Sequence, residues 1–116
     1  MPSSHSRATV VFLSGPFSDE PMARTLDAAD LQHWLIDKGY VVFCPHTSFF
    51  WLDQIRPRRY EEWMRQCLAF IQKCDIVVRM PGVSPGSDRE CAAAAEAGIP
   101  VLHGREGVIA WEAMDG

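Results

Sequence analysis

Short runs of β-branched and apolar residues alternate along the chain with longer segments in which apolar residues recur every three or four positions. The first run, Ala8 to Leu13, reads as a buried strand, ended sharply by Ser14-Gly15-Pro16. From Pro21 to Lys38 the residues Met22, Leu26, Ala29, Leu31, Trp34 and Leu35 follow helical spacing, and Gly39 supplies the stop. Tyr40 to Cys44 predicts a second strand, closed by Pro45. A second helix is expected from about Arg58 to Lys73, with Tyr60, Trp63, Met64, Cys67, Leu68 and Ile71 on its apolar face. Asp75 to Met80 is the third strand. Ser87 to Ala97 is a third helix, rich enough in alanine to lie close against a sheet, and Ile99 to His103 is a fourth strand. Val108 to Met114 reads as a short fifth strand or a helix. Between Pro45 and the second helix lies His46 to Pro57, expected to be irregular.

Strands alternating with helices imply βαβ units and a parallel sheet. The expected fold is an α/β three-layer, flavodoxin- or Rossmann-like domain with four or five parallel strands, and residues 1–116 form one domain. In such a sheet Gly15, Pro45 and the 81–87 loop all open at one edge, beyond the carboxyl ends of the strands, where open α/β sheets bind ligands.

Composition narrows the function. Apolar residues make up 47% of the chain and charged residues 22%, as in a globular protein. The net charge of −4 and the scattered basic residues argue against a nucleic-acid groove. The densest basic group, Arg56, Arg58, Arg59 and Arg65, suits a solvated helix entry. Cys44, Cys67, Cys74 and Cys91 form no CxxC pair, and the histidines no metal-binding spacing. The polar first eight residues carry no leader-like apolar run, and no segment is long and apolar enough for a membrane span. Reduced thiols in the cytoplasm, with no metal, are the expectation.

Three places can carry chemistry. Ser14-Gly15-Pro16-Phe17 follows the first strand and offers backbone N–H groups to phosphate or sugar hydroxyls, although a Gly-Pro pair there also serves as a plain turn. The stretch lacks both GxGxxG and a Walker A loop. Asp75 opens the third strand, either as an ion-pair partner for a nearby arginine or as an acceptor orienting a substrate hydroxyl. Glu90 lies just inside the helix that follows the Pro81–Ser87 loop, where its carboxylate faces the crevice. A capping box with Ser87 explains that spacing structurally; a nucleophile attacking an anomeric carbon explains it functionally. Ser84, Gly86 and Ser87, with the loop amides, are then placed to hold a phosphate. The run Phe49-Phe50-Trp51, followed by Asp53, reads as a lid stacking on a base, a dimer contact, or a loop folded onto the core.

With these residues in view, the chain resembles the nucleoside 2-deoxyribosyltransferase-like superfamily from about Val10 to Leu102. The resemblance rests on V-F-L-S-G-P-F at Val11–Phe17, C-D-I-V-V at Cys74–Val78, and S-P-G-S-D-R-E-x-A-x-A-x-E-A-G-I-P-V from Ser84 to Val101. It implies that Glu90 is the nucleophile at C1′, that Asp75 assists proton transfer, and that Ser84 contacts a 5′-phosphate as in nucleoside monophosphate N-glycosidases. No cofactor is implied. A nucleoside or nucleotide is the implied partner, along with a homodimer or higher homo-oligomer; Trp51, Trp111 and Met114 read from the sequence as its contacts. One position departs from the pattern: Phe12 stands where many members carry a Tyr beside the nucleophile, and Tyr60 is the candidate replacement. The stretch Ser18-Asp19-Glu20 holds no basic residue, so Arg89 or an arginine of the 56–59 group would meet a phosphate. The loop Pro81-Gly82…Gly86-Ser87-x-x-Glu90 also loosely resembles that of phosphoribohydrolases acting on modified AMP, but Val83 replaces a glycine and the chain is short for them. A silent nucleotide- or nucleotide-sugar-binding module is the alternative from a different class.

Overall fold

The computed structural model describes residues 7–17 and 19–115. In chain order the elements are β1 (Val10–Ser14), α1 (Pro21–Asp37), β2 (Val41–Phe43), α2 (Pro45–Ile55), α3 (Tyr60–Ile71), β3 (Ile76–Arg79), α4 (Pro85–Glu96), β4 (Val101–His103) and α5 (Gly104–Asp115). The strands form one all-parallel sheet in the order β2-β1-β3-β4. This is a flavodoxin-like α/β domain.

The alternation of side chains along β1 and β3 sorts the core into two layers. Val11 and Leu13 on β1, with Ile76 and Val78 on β3, pack under Ala28, Leu31 and Leu35 of α1 and Val108 of α5. Phe12 and Val77 point the other way, onto Met64, Cys67 and Ile71 of α3 and Ala94 of α4. These strand residues are almost wholly buried, each contributing roughly 1.5–3 kcal/mol of hydrophobic stabilisation. Ser14 pairs with Arg79 at the carboxyl end of the central strands. It follows Phe12 on the α3/α4 face, and this turns its hydroxyl toward α4.

Two expectations change, and one open alternative is decided. The segment after Pro45 is helix α2 rather than irregular chain: Pro45 occupies the first helical position, where its missing N–H costs nothing. His46 and Phe50, one turn apart, bury the inner face of that helix. Of the two readings of the C-terminal segment the structure has the helix, α5, and the sheet has four strands among the described residues. Helix α4 begins at Pro85, and its N-cap is Ser84, whose side chain accepts from the Ser87 backbone N–H at 3.0 Å. The capping box expected between Ser87 and Glu90 is therefore not the cap of this helix.

Candidate active site

The chain leaves β1 toward β2 on one side and reaches β3 on the other, so the strand order reverses between β1 and β3. The loops after these two strands must separate there and open a crevice. They pack tightly at their bases. A Cβ at Gly15 would lie 2.8 Å from Met80 Cβ, and one at Gly82, whose φ is +117°, 2.7 Å from the Pro16 ring. Above them is a pocket of about 600 Å³, closed on its far side by α2 and α3.

Glu90 forms the polar floor of the pocket and is 7% exposed. Ser14 Oγ donates to its Oε1 at 2.5 Å, and the Ser14 and Ser87 hydroxyl oxygens lie 2.6 Å apart. A serine hydroxyl has one proton, so with Glu90 ionised the bonds run from Ser87 to Ser14 to the carboxylate. Ser87 is held in turn through its backbone by Ser84. Burial raises the pKa of Glu90 above the ordinary carboxylate value, against the opposing pull of the Ser14 hydroxyl, the Cys67 thiol and the Arg79 charge. Burial, and then the charge of Glu90, push the Cys67 thiol far up, so it stays protonated and donates toward Glu90.

The walls are largely aromatic. Phe49 and Trp63 stack with centroids 4.8 Å apart, and Phe17 meets His46 edge-on at 5.3 Å. His46 Nε2 lies 2.7 Å from the Pro16 carbonyl, and burial lowers its pKa, so the neutral ring donates to that carbonyl and pins the β1 loop. Asp53 and Cys67 also line the pocket.

Of the residues singled out in the sequence, Ser14, Gly15, Pro16, Phe17, Tyr60, Ser84, Gly86, Ser87 and Glu90 meet in this pocket. Tyr60 sits at the start of α3, with its hydroxyl 3.2 Å from where a Cβ on Gly86 would stand. Four others lie elsewhere. Asp75 precedes β3, about 13 Å of strand from the end where the pocket opens. Its carboxylate takes the Val10 N–H at 2.7 Å and two bonds from Arg7, which hold its pKa below the ordinary value. Of its two readings, the geometry has the ion-pair partner. Phe12 is buried in the core against Phe43, away from the pocket lining. The hydroxyl beside Glu90 comes instead from Ser14, two residues further along the same strand face. Arg89 is bound to Glu61 at 2.8 Å, and Trp51 lies exposed on the outer side of α2. Ser18 lies outside the described residues.

His46, Trp63 and Cys67 were not legible as site residues in the sequence. His46 had one usable signal, its place one residue after a helix-starting proline. Trp63 and Cys67 read only as the apolar face of a helix.

Fold and site together define a flavodoxin-like domain with a buried carboxylate in a pocket of about 600 Å³ at its strand crossover. The chain belongs to the family described as Domain of unknown function (DUF4406), whose model matches residues 9–103. That family shares the fold group of the nucleoside 2-deoxyribosyltransferases. No curated protein matches the chain. Three solved structures share its fold. A CMP N-glycosidase from Clostridium botulinum is 22% identical, with a TM-score of 0.59 over 82% of this chain and 70% of its own. A 2-deoxyribosyltransferase from Bacillus psychrosaccharolyticus is 24% identical, with a TM-score of 0.58 over 82% and 71%. A conserved protein from Enterococcus faecalis V583 is 18% identical, with a TM-score of 0.61 over 94% and 76%.

Proposed function

We propose that the pocket binds a nucleoside or nucleoside 5′-monophosphate and that the protein cleaves its N-glycosidic bond by hydrolysis or transfer. The observation that carries this reading is the Glu90 carboxylate, buried at the pocket floor and oriented by Ser14. The fold held in common with an N-glycosidase and a deoxyribosyltransferase supports it. An ionised Glu90 oxygen attacks C1′ through an oxocarbenium-like transition state. The C1′–N bond breaks, and its electron pair leaves with the base, which takes a proton from solvent. Water, or a second base, then releases the sugar from the Glu90 ester and restores the carboxylate. The Ser14–Phe17 and Ser84–Ser87 loops flank the sugar and any phosphate. This chemistry needs no cofactor. The free, mostly buried cysteines suit a protein working in the cytoplasm, and the exposed Trp51, Leu52 and Ile55 on α2 suit a homo-oligomer.

Chromatography of free base released from ribo- and deoxyribonucleosides and their 5′-monophosphates tests the reading. Glu90→Ala is expected to lower release by on the order of 10³-fold or more while the circular dichroism spectrum stays unchanged. Turnover equal to wild type in that variant would remove Glu90 from the mechanism.

One observation favours a second reading, a binding module. The raised pKa of Glu90 increases the share of neutral acid, which donates a hydrogen bond to a ligand and is no nucleophile. The two readings part in their pH dependence. Base release rises with pH as Glu90 ionises, whereas binding through a neutral acid falls.

A further inference from the structure

Asp53 sits on α2 in the pocket wall, beside the stacked Phe49 and Trp63 rings. Its Oδ1 accepts two hydrogen bonds, from Trp63 Nε1 at 2.7 Å and from the Arg58 backbone N–H at 2.9 Å. Those two donors come from different segments and anchor Oδ1. They also hold its pKa below the ordinary aspartate value, so the group stays ionised. Oδ2 has no partner among the described residues. An ionised carboxylate oxygen only accepts. A flat ring entering this aromatic pocket must therefore turn a donor toward Asp53, and a carbonyl oxygen there would face a second set of lone pairs.

Resting on the reading of the pocket as a nucleoside site, we infer that Asp53 is a specificity-determining residue that selects amino-bearing bases. A 4-aminopyrimidine or 6-aminopurine presents an N–H donor where its oxo counterpart presents a carbonyl. Asp53 acts on the base, whereas Glu90 acts on the sugar.

The test measures the calorimetric affinity of the Glu90→Ala protein, which consumes no ligand, for cytidine against uridine and adenosine against inosine. The amino member of each pair is expected to bind roughly tenfold or more tightly, the range of a hydrogen bond to a charged group. Adding Asp53→Asn keeps the acceptor oxygen for Trp63 and Arg58 and turns the other position into a donor, so the preference should vanish or invert. Equal affinities within the pairs, or an amino preference that survives Asp53→Asn, would overturn the assignment. So would no binding of any of the four. If the double variant does not fold, the ligand pairs alone decide, because they need no change at Asp53. Base release by wild type without an amino preference removes the role of Asp53 and leaves the glycosidase reading. An amino preference without base release does the reverse.

Discussion

A carboxyl group at the bottom of an apolar pocket is costly when charged, and Glu90 carries that cost. Its pKa is raised in the folded state, so the folded protein binds the proton more tightly than the unfolded chain. Stability therefore falls as pH rises from the unfolded value of about 4.3 through the higher folded one. Glu90→Gln removes the charge and keeps an acceptor for Ser14. It is expected to unfold at a higher temperature than wild type at pH 7, with the difference shrinking toward pH 4; a constant difference across that range would contradict the assignment. At this scale the sequence carried Glu90 and both serine loops, because a carboxylate after a strand-loop-helix junction has few other places to point. It did not carry the bond from Ser14, which depends on which face of β1 each residue takes. Asp75 misled because a carboxylate opening a strand looks the same whether it meets substrate or Arg7, and only the strand direction tells the ends apart.

Helix α4 brings Glu90 to the pocket, so its N-terminus sets the geometry of the site. Ser84 caps it through the Ser87 amide, and Ser87 passes that order to Ser14 and Glu90. Ser84→Ala should cost about 1 kcal/mol in chemical denaturation, the usual value of an N-cap. A loss under about 0.3 kcal/mol would show that the cap does little. The sequence points to a cap one turn later because S-x-x-E is a capping signature wherever it falls, and here Ser84 and Pro85 preempt it. Helix α2 escaped for a related reason. Pro45 reads equally as the end of β2 or the first residue of a helix, and Phe49-Phe50-Trp51 has weak helix propensity. Packing decides it: Phe49 lies between Phe43 and Trp63, and Phe50 against Phe17. The element that walls the pocket is thus held mainly by tertiary contacts, which no local pattern displays.

At the scale of the whole molecule, the alternation of buried strands and amphipathic helices was enough to predict the three layers and the parallel sheet, since both faces of β1 and β3 must be covered. Strand order then puts the crevice between β1 and β3 whatever the loops contain. On the outer face of α2, Ile55 is 83% exposed, beside Trp51 and Leu52. If that face joins two copies, sedimentation at tens of micromolar will give a dimer, and Ile55→Glu will return the monomer; a monomer at every concentration would exclude it. The proposed mechanism turns on a covalent bond to one side chain. Rapid quenching of the protein with its best nucleoside substrate, followed by intact-mass and peptide analysis, examines that bond directly. That mechanism makes a fraction of the chain heavier by one pentosyl or deoxypentosyl group, mapped to Glu90 and missing in Glu90→Ala. Base release at a steady rate with no adduct at Glu90, or with the adduct on another residue, would contradict it.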